Sequence, residues 1–127
     1  MTLVRVLLID DAAVLRAAFA RIVASLGHDV TALGDPAQGL RRAAQERFAA
    51  IVVDGRLEGW DASEYVAAVH AAAPQAAIFI IASLDERPLV VQAAAAGATG
   101  AVLRPFRRSQ IRDAFAPLAP LLPKGAS

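Results

Sequence analysis

Five runs of strand length, most of them apolar, each followed by a segment of helical period, constrain this chain more than any other feature. Residues 3–9 (LVRVLLI) are continuously apolar apart from Arg5, as a strand covered on both faces would be. From Asp11 to Leu26 the period changes: Leu15, Phe19, Ile22, Val23 and Leu26 recur at helical spacing, and Gly27 stands where a helix-terminating glycine belongs. The alternation then continues with strands at 28–33, 48–54, 76–82 and 99–103. Helices are expected after Asp35–Pro36 to about Arg47, from the Asp61-x-x-Glu64 capping pattern to Pro74, over 89–96 with Gly97 as the stop, and at the end around Ile111, Phe115 and Leu118 up to Pro117. This order predicts an α/β domain, a (βα)5 doubly wound five-stranded parallel sheet. Ligands of such sheets sit at the C-terminal strand ends, near a topological switch point.

The strand exits carry chemistry. Asp10 and Asp11 leave the first strand, Asp54 the third, Ser83 the fourth and Arg104 the fifth. Each has an ordinary explanation by itself: Asp11 as the cap of the first helix, Asp54 as an exposed loop acid, Ser83 as a turn residue, Arg104 as a solvated charge. Their convergence on one rim changes the reading. Three adjacent carboxylates repel one another unless a cation joins them, and an all-oxygen set suits Mg²⁺ or Mn²⁺.

The stretches "VLLIDD", "IVVD", "IIAS" and "GATGAVLRPF", in this order and spacing, resemble the receiver domain of bacterial two-component response regulators. The segment "GHDVTALGDPAQGL" resembles the family's second strand and helix. The resemblance covers residues 3 to about 116 and implies a flavodoxin-like receiver fold, with the receiver domain at 1–118 and a loose Pro-rich tail or linker at 119–127. It implies that Asp54 accepts a phosphoryl group from a histidine kinase in a phosphorelay. Asp11, the Asp54 carboxylate and the backbone carbonyl of Arg56 would hold Mg²⁺, with Asp10 acting mainly through bound water. Ser83 and Arg104 would bind the phosphoryl oxygens. The implied partners are a sensor histidine kinase or phosphotransfer protein and an output partner docked on the last helices, where a homodimer could also form. On this reading the chain is a signalling module rather than an enzyme with an external substrate. The alternative is a pseudo-receiver that acts by protein contacts without phosphorylation.

Four departures bear on this expectation. Arg104 replaces the family lysine; it stays charged but is longer, planar and differently hydrated. Ala101 stands where the family carries its switch aromatic. Leu84 replaces a small residue after Ser83, so a narrower pocket entrance is expected. The loop "DGRLEGWDA" keeps Leu57 and Asp61 but has Glu58 at the usual proline and Ala62 at the usual glycine, and Arg56 is placed to pair with an acid near the pocket.

Composition closes off other classes. With thirteen basic against twelve acidic side chains, the net charge of +1 gives no global attraction to nucleic acid or an anionic membrane. There is no cysteine, which excludes disulfides and thiolate sites and fits the cytoplasm. No apolar run approaches the roughly 20 residues of a membrane span. A Gly-x-Gly-x-x-Gly after the first strand and an Asp-x-Asp nucleophile motif are both absent, which counts against a dinucleotide-binding domain and a Mg²⁺-dependent phosphohydrolase. His28 and His70 have no metal-ligand spacing, and the cluster Arg104, Arg107, Arg108 and Arg112 reads as a basic face near the last helix.

Overall fold

In the computed structural model, which describes residues 4–118, the five runs form strands β1 (Arg5–Ile9), β2 (Asp29–Leu33), β3 (Ala50–Asp54), β4 (Ala77–Ser83) and β5 (Gly100–Arg104). Between and after them lie helices α1 (Ala13–Ser25), α2 (Pro36–Gln45), α3 (Ala62–Ala72), α4 (Arg87–Ala96) and α5 (Arg108–Phe115), the last followed by a 3₁₀ turn at Ala116–Leu118. All strand pairs are parallel and the sheet order is β2-β1-β3-β4-β5. The chain therefore winds outward in opposite directions from the β1/β3 boundary, and this switch point is where Asp10, Asp11 and Asp54 leave the sheet. The tail at 119–127 lies outside the described residues.

Strand side chains sort by alternation onto two cores. Leu7, Ile9, Ile51, Val53, Ile78 and Ile80 pack under α2, α3 and α4 against Tyr65, Val66, Val69 and Ala93. Val6, Leu8, Val52, Phe79, Ile81 and Val102 face the other way, onto Phe19 and Val23 of α1 and Ile111 and Phe115 of α5. Fully burying each such side chain is worth roughly 1.5–3 kcal/mol. A one-residue slip would exchange the two faces of a strand, so packing fixes the register that pairs Val6 with Ala50 and Val53 with Ile80. That register decides which residues stand together at the exits.

Local signals set most helix ends. Asp35 accepts from the Ala37 amide at 3.1 Å and Pro36 fills the first turn of α2. Asp61 accepts from the Glu64 amide at 3.1 Å at the start of α3. Gly27, just past the Leu26 cap of α1, and Gly97, the cap of α4, take positive φ, 93° and 123°, a backbone region that side-chain-bearing residues rarely enter. The structure corrects two sequence readings. Helix α4 starts at Arg87 rather than Leu89, because Pro88 occupies a first-turn position whose amide needs no partner. The cap position of α1 is held by Ala12, not Asp11, and Asp11 is directed elsewhere.

Candidate functional site

Asp10 is fixed before its side chain does anything. Its amide donates to Leu33 O at 3.1 Å, and its carbonyl accepts from Arg16 Nη1 at 2.8 Å. The carboxylate is completely buried; Oδ1 accepts from the Ala12 amide at 2.9 Å, whereas Oδ2 is buried without a partner among the described residues. Burial pushes the Asp10 carboxyl up from the ordinary 3.8 to about 6, against the lowering effect of the Ala12 amide and with a further push from the neighbouring Asp54 charge.

Asp54 ends β3 and is 4% exposed. Its Oδ1 accepts from the Arg56 amide at 3.2 Å and from Arg104 Nη2 at 3.1 Å. Asp11 is exposed, and its Oδ2 accepts from the Glu58 amide at 2.8 Å. It thereby ties the β1–α1 loop to the β3–α3 loop instead of capping a helix. Carboxylate oxygens of Asp10, Asp11 and Asp54 all lie within 4.8 Å of one another.

Ser83 is the last residue of β4, and its strand partner in β5 is Arg104. The phosphoryl-binding pair expected from sequence thus stands on neighbouring strand ends, and Arg104 reaches past β4 to Asp54. Among the described residues, Arg104 Nε is buried without a hydrogen-bond partner. Leu84 is 75% exposed and lines surface cavities walled by Leu103, Ala101 and Gln110, not by Asp54. The Leu84 side chain thus lies on the outer face, beside Ser83 in one cavity and Arg104 in the other. Ala101 borders a cavity of about 300 Å³ shared with Ser83, Leu84, Arg87, Val90, Leu103 and Gln110.

Two contributors escaped the sequence reading. Glu86 accepts from the Ser83 amide through Oε1 at 2.7 Å and pairs through Oε2 with Arg56 Nε. Ser83-x-x-Glu86 is the capping-box spacing, in which the acid returns to the first residue's amide, and that pattern was the available signal. Gly55 is the other. A Cβ there would meet Ile81 O at 2.8 Å and Leu89 Cδ2 at 2.9 Å, so the residue after Asp54 must be small.

The response regulator receiver domain family matches residues 6–116. The chain belongs to that family. The chemotaxis protein CheY of Thermotoga maritima is 27% identical over 119 residues, covering 87% of this chain and 93% of that protein. Full-length FixJ from B. japonicum is similar in structure, with a TM-score of 0.85 at 25% identity, covering 99% of this chain and 62% of that one. The receiver domain of sensor histidine kinase PA1611 from Pseudomonas aeruginosa, solved with a magnesium ion coordinated in its active site cleft, superposes with a TM-score of 0.82 at 23% identity, over 91% of this chain and 97% of that one. The protein is thus a response regulator receiver domain of two-component systems, with the flavodoxin-like (βα)5 fold. Among the described residues no helix is long and apolar enough to cross a membrane.

Proposed function

We propose that this receiver takes a phosphoryl group onto Asp54 from the phosphohistidine of a sensor histidine kinase or phosphotransfer protein, in a Mg²⁺-dependent reaction. The observation that carries the proposal is the convergence of Asp10, Asp11 and Asp54 carboxylates within 4.8 Å, with Arg104 on Asp54. The residues fit a hydrated divalent cation. Asp10 Oδ2 is a buried acceptor with no donor among the described residues, which a metal-bound water would satisfy, and the donor set is oxygen throughout. Asp11, Asp54 and the Arg56 carbonyl would hold the ion, and Asp10 would act through its water. When bound, Mg²⁺ offsets the negative charge that acceptor and phosphoryl oxygens bring together.

The chain's own residues do the rest. An Asp54 carboxylate oxygen forms a bond to phosphorus as the donor's phosphorus–nitrogen bond breaks, and the histidine ring retains the electron pair. Arg104 is already charged and within hydrogen-bond distance of Asp54, so it follows the developing charge from carboxylate to phosphoryl oxygen without a change in protonation. Ser83 supplies a hydroxyl to the same group. Switching proceeds without a side-chain aromatic at Ala101, so the output surface on the last helices, α4 and α5 with β5, responds through backbone and loop position. The proposed setting is the cytoplasm.

The test is intact-mass spectrometry after incubation with Mg²⁺ and either a small acyl phosphate or candidate kinases. An 80 Da adduct that requires Mg²⁺ and is lost in Asp54→Asn is the expected result. An unmodified wild-type chain with every donor, alongside unchanged partner binding by Asp54→Asn, would establish the phosphorylation-independent alternative.

A further inference from the structure

We infer that Glu86 is a positioning residue of this site: it keeps the Arg56 guanidinium off the acidic cluster, so that the cluster stays open to a divalent cation. The inference rests on the metal-binding reading of Asp10, Asp11 and Asp54.

Arg56 starts two residues after the acceptor, and its amide is bonded to Asp54 Oδ1 at 3.2 Å. A guanidinium on a flexible stem beside three carboxylates would be drawn onto them, where it would neutralise the charge a cation needs. In the structure it does not go there. Arg56 pairs with Glu86 and, among the described residues, with none of the three site acids.

Glu86 is built to hold it. It occupies the cap position of α4 but makes no side-chain bond to that helix. Instead the carboxylate folds back to accept from the Ser83 amide at 2.7 Å, while the Glu86 amide donates to Ser83 O at 3.0 Å. This closed turn leaves Glu86 only 9% exposed and aims its second oxygen at Arg56. The Ser83 amide, first, and Arg56 hold the Glu86 carboxyl below the usual carboxylate range, so the acid stays ionised. The Arg56 side chain is 68% exposed, so the ion pair adds little to folding stability. Its consequence is directional: it decides which acid Arg56 serves.

The experiment is calorimetric titration of the full chain with Mg²⁺ at neutral pH. Glu86→Ala is expected to bind Mg²⁺ roughly three- to tenfold more weakly, because the freed guanidinium competes for the cluster. Glu86→Gln, which retains an acceptor for the Ser83 amide but not the charge, should be weakened as well. The double variant Glu86→Ala/Arg56→Ala should match Arg56→Ala alone, since the competitor is gone; a merely structural role for Glu86 predicts no such rescue. Unchanged affinity in both Glu86 variants, or a weakened Glu86→Ala that the second substitution does not rescue, overturns the inference and leaves the metal site standing. A wild-type chain with no Mg²⁺ response overturns both.

Discussion

Arg104 Nη2 lies 3.1 Å from Asp54 Oδ1, although the two residues end strands that are not neighbours, with β4 between them. A cation carried over one strand to a nearly buried carboxylate acts as the built-in counter-ion of Asp54. Asp54 therefore has a partner before any metal or phosphoryl group arrives. On the proposed metal-binding reading, Mg²⁺ would share the neighbourhood of Asp54 with Arg104, and each should alter the effect of the other.

Removing Arg104 should expose that sharing. Breaking a well-buried pair costs about 3–5 kcal/mol, and screening of the 22%-exposed Arg104 side chain reduces this to roughly 1–3 kcal/mol. Arg104→Ala should lower the melting temperature in chelator and recover most of the loss in Mg²⁺, with a larger metal-induced rise than the wild type shows. Thermal unfolding with and without Mg²⁺ reads this directly. A metal-induced rise no larger than that of the wild type would remove Arg104 from the role of counter-ion.

Asp10 sets a pH dependence with a defined sign. Its folded value of about 6 lies above the ordinary 3.8, so without metal the folded state holds the proton more tightly between these limits. The Asp10 contribution to stability is then fully present below about pH 4 and is lost as pH rises through about 6. Mg²⁺ binding has the opposite preference, because the cation requires the ionised acid. Below about pH 6 the apparent affinity should fall by up to tenfold per pH unit. Asp10→Asn should flatten both dependences while weakening the metal site, as followed by Mg²⁺ titrations across pH.

The sequence carried the fold because the central strand runs, β1, β3 and β4, are apolar on both faces and the segments between strands have helical period. The strand exits alone place Asp10, Asp11, Asp54, Ser83 and Arg104 on one rim. What it could not carry was where side chains turn once there. Asp11 has the composition of a helix cap, yet its carboxylate goes to the Glu58 amide across the loop. Leu84 follows a site residue but points its bulk outward, since a residue just past a strand end is freed from the alternation that fixes those before it. Arg56 was expected to meet an acid, but identifying Glu86 required the folded-back turn after Ser83. The Ser83-x-x-Glu86 spacing encodes the turn, but which residue the second Glu86 oxygen meets depends on the distance between two loops, which no local pattern encodes.

Gly55 should be intolerant for a reason of space rather than backbone angle. Its amide donates to Ile81 O at 2.9 Å, and the same carbonyl would stand 2.8 Å from an added Cβ. The obstacle is backbone of β4, which cannot swing aside as a side-chain tip can. Gly55→Ala should destabilise the fold by about 1–3 kcal/mol and, by moving the loop that carries Arg56, weaken Mg²⁺ binding. Chemical denaturation together with metal titration tests both; a loss within experimental error in each would show that β4 yields at no cost.

Ala101 offers the complementary experiment, adding bulk where space exists. The cavity beside it, about 300 Å³, has Val90, Leu84 and Leu103 among its walls. A phenylalanine ring there would bury apolar surface at roughly 25 cal/mol per Å² without displacing a packed neighbour. Ala101→Phe should therefore leave stability unchanged or raise it by about 1 kcal/mol, and the acidic cluster should bind Mg²⁺ as before, because no metal-site residue lines that space. If phosphorylation is then compared by the exchange of amides on β5 and the start of α5, the variant should show coupling from Asp54 to this face that the wild type lacks or shows more weakly. A melting temperature lowered by several degrees would mean that the cavity closes around Ala101 in solution. Identical coupling in the two proteins would mean that the backbone alone carries the signal and that the missing ring has no part in it.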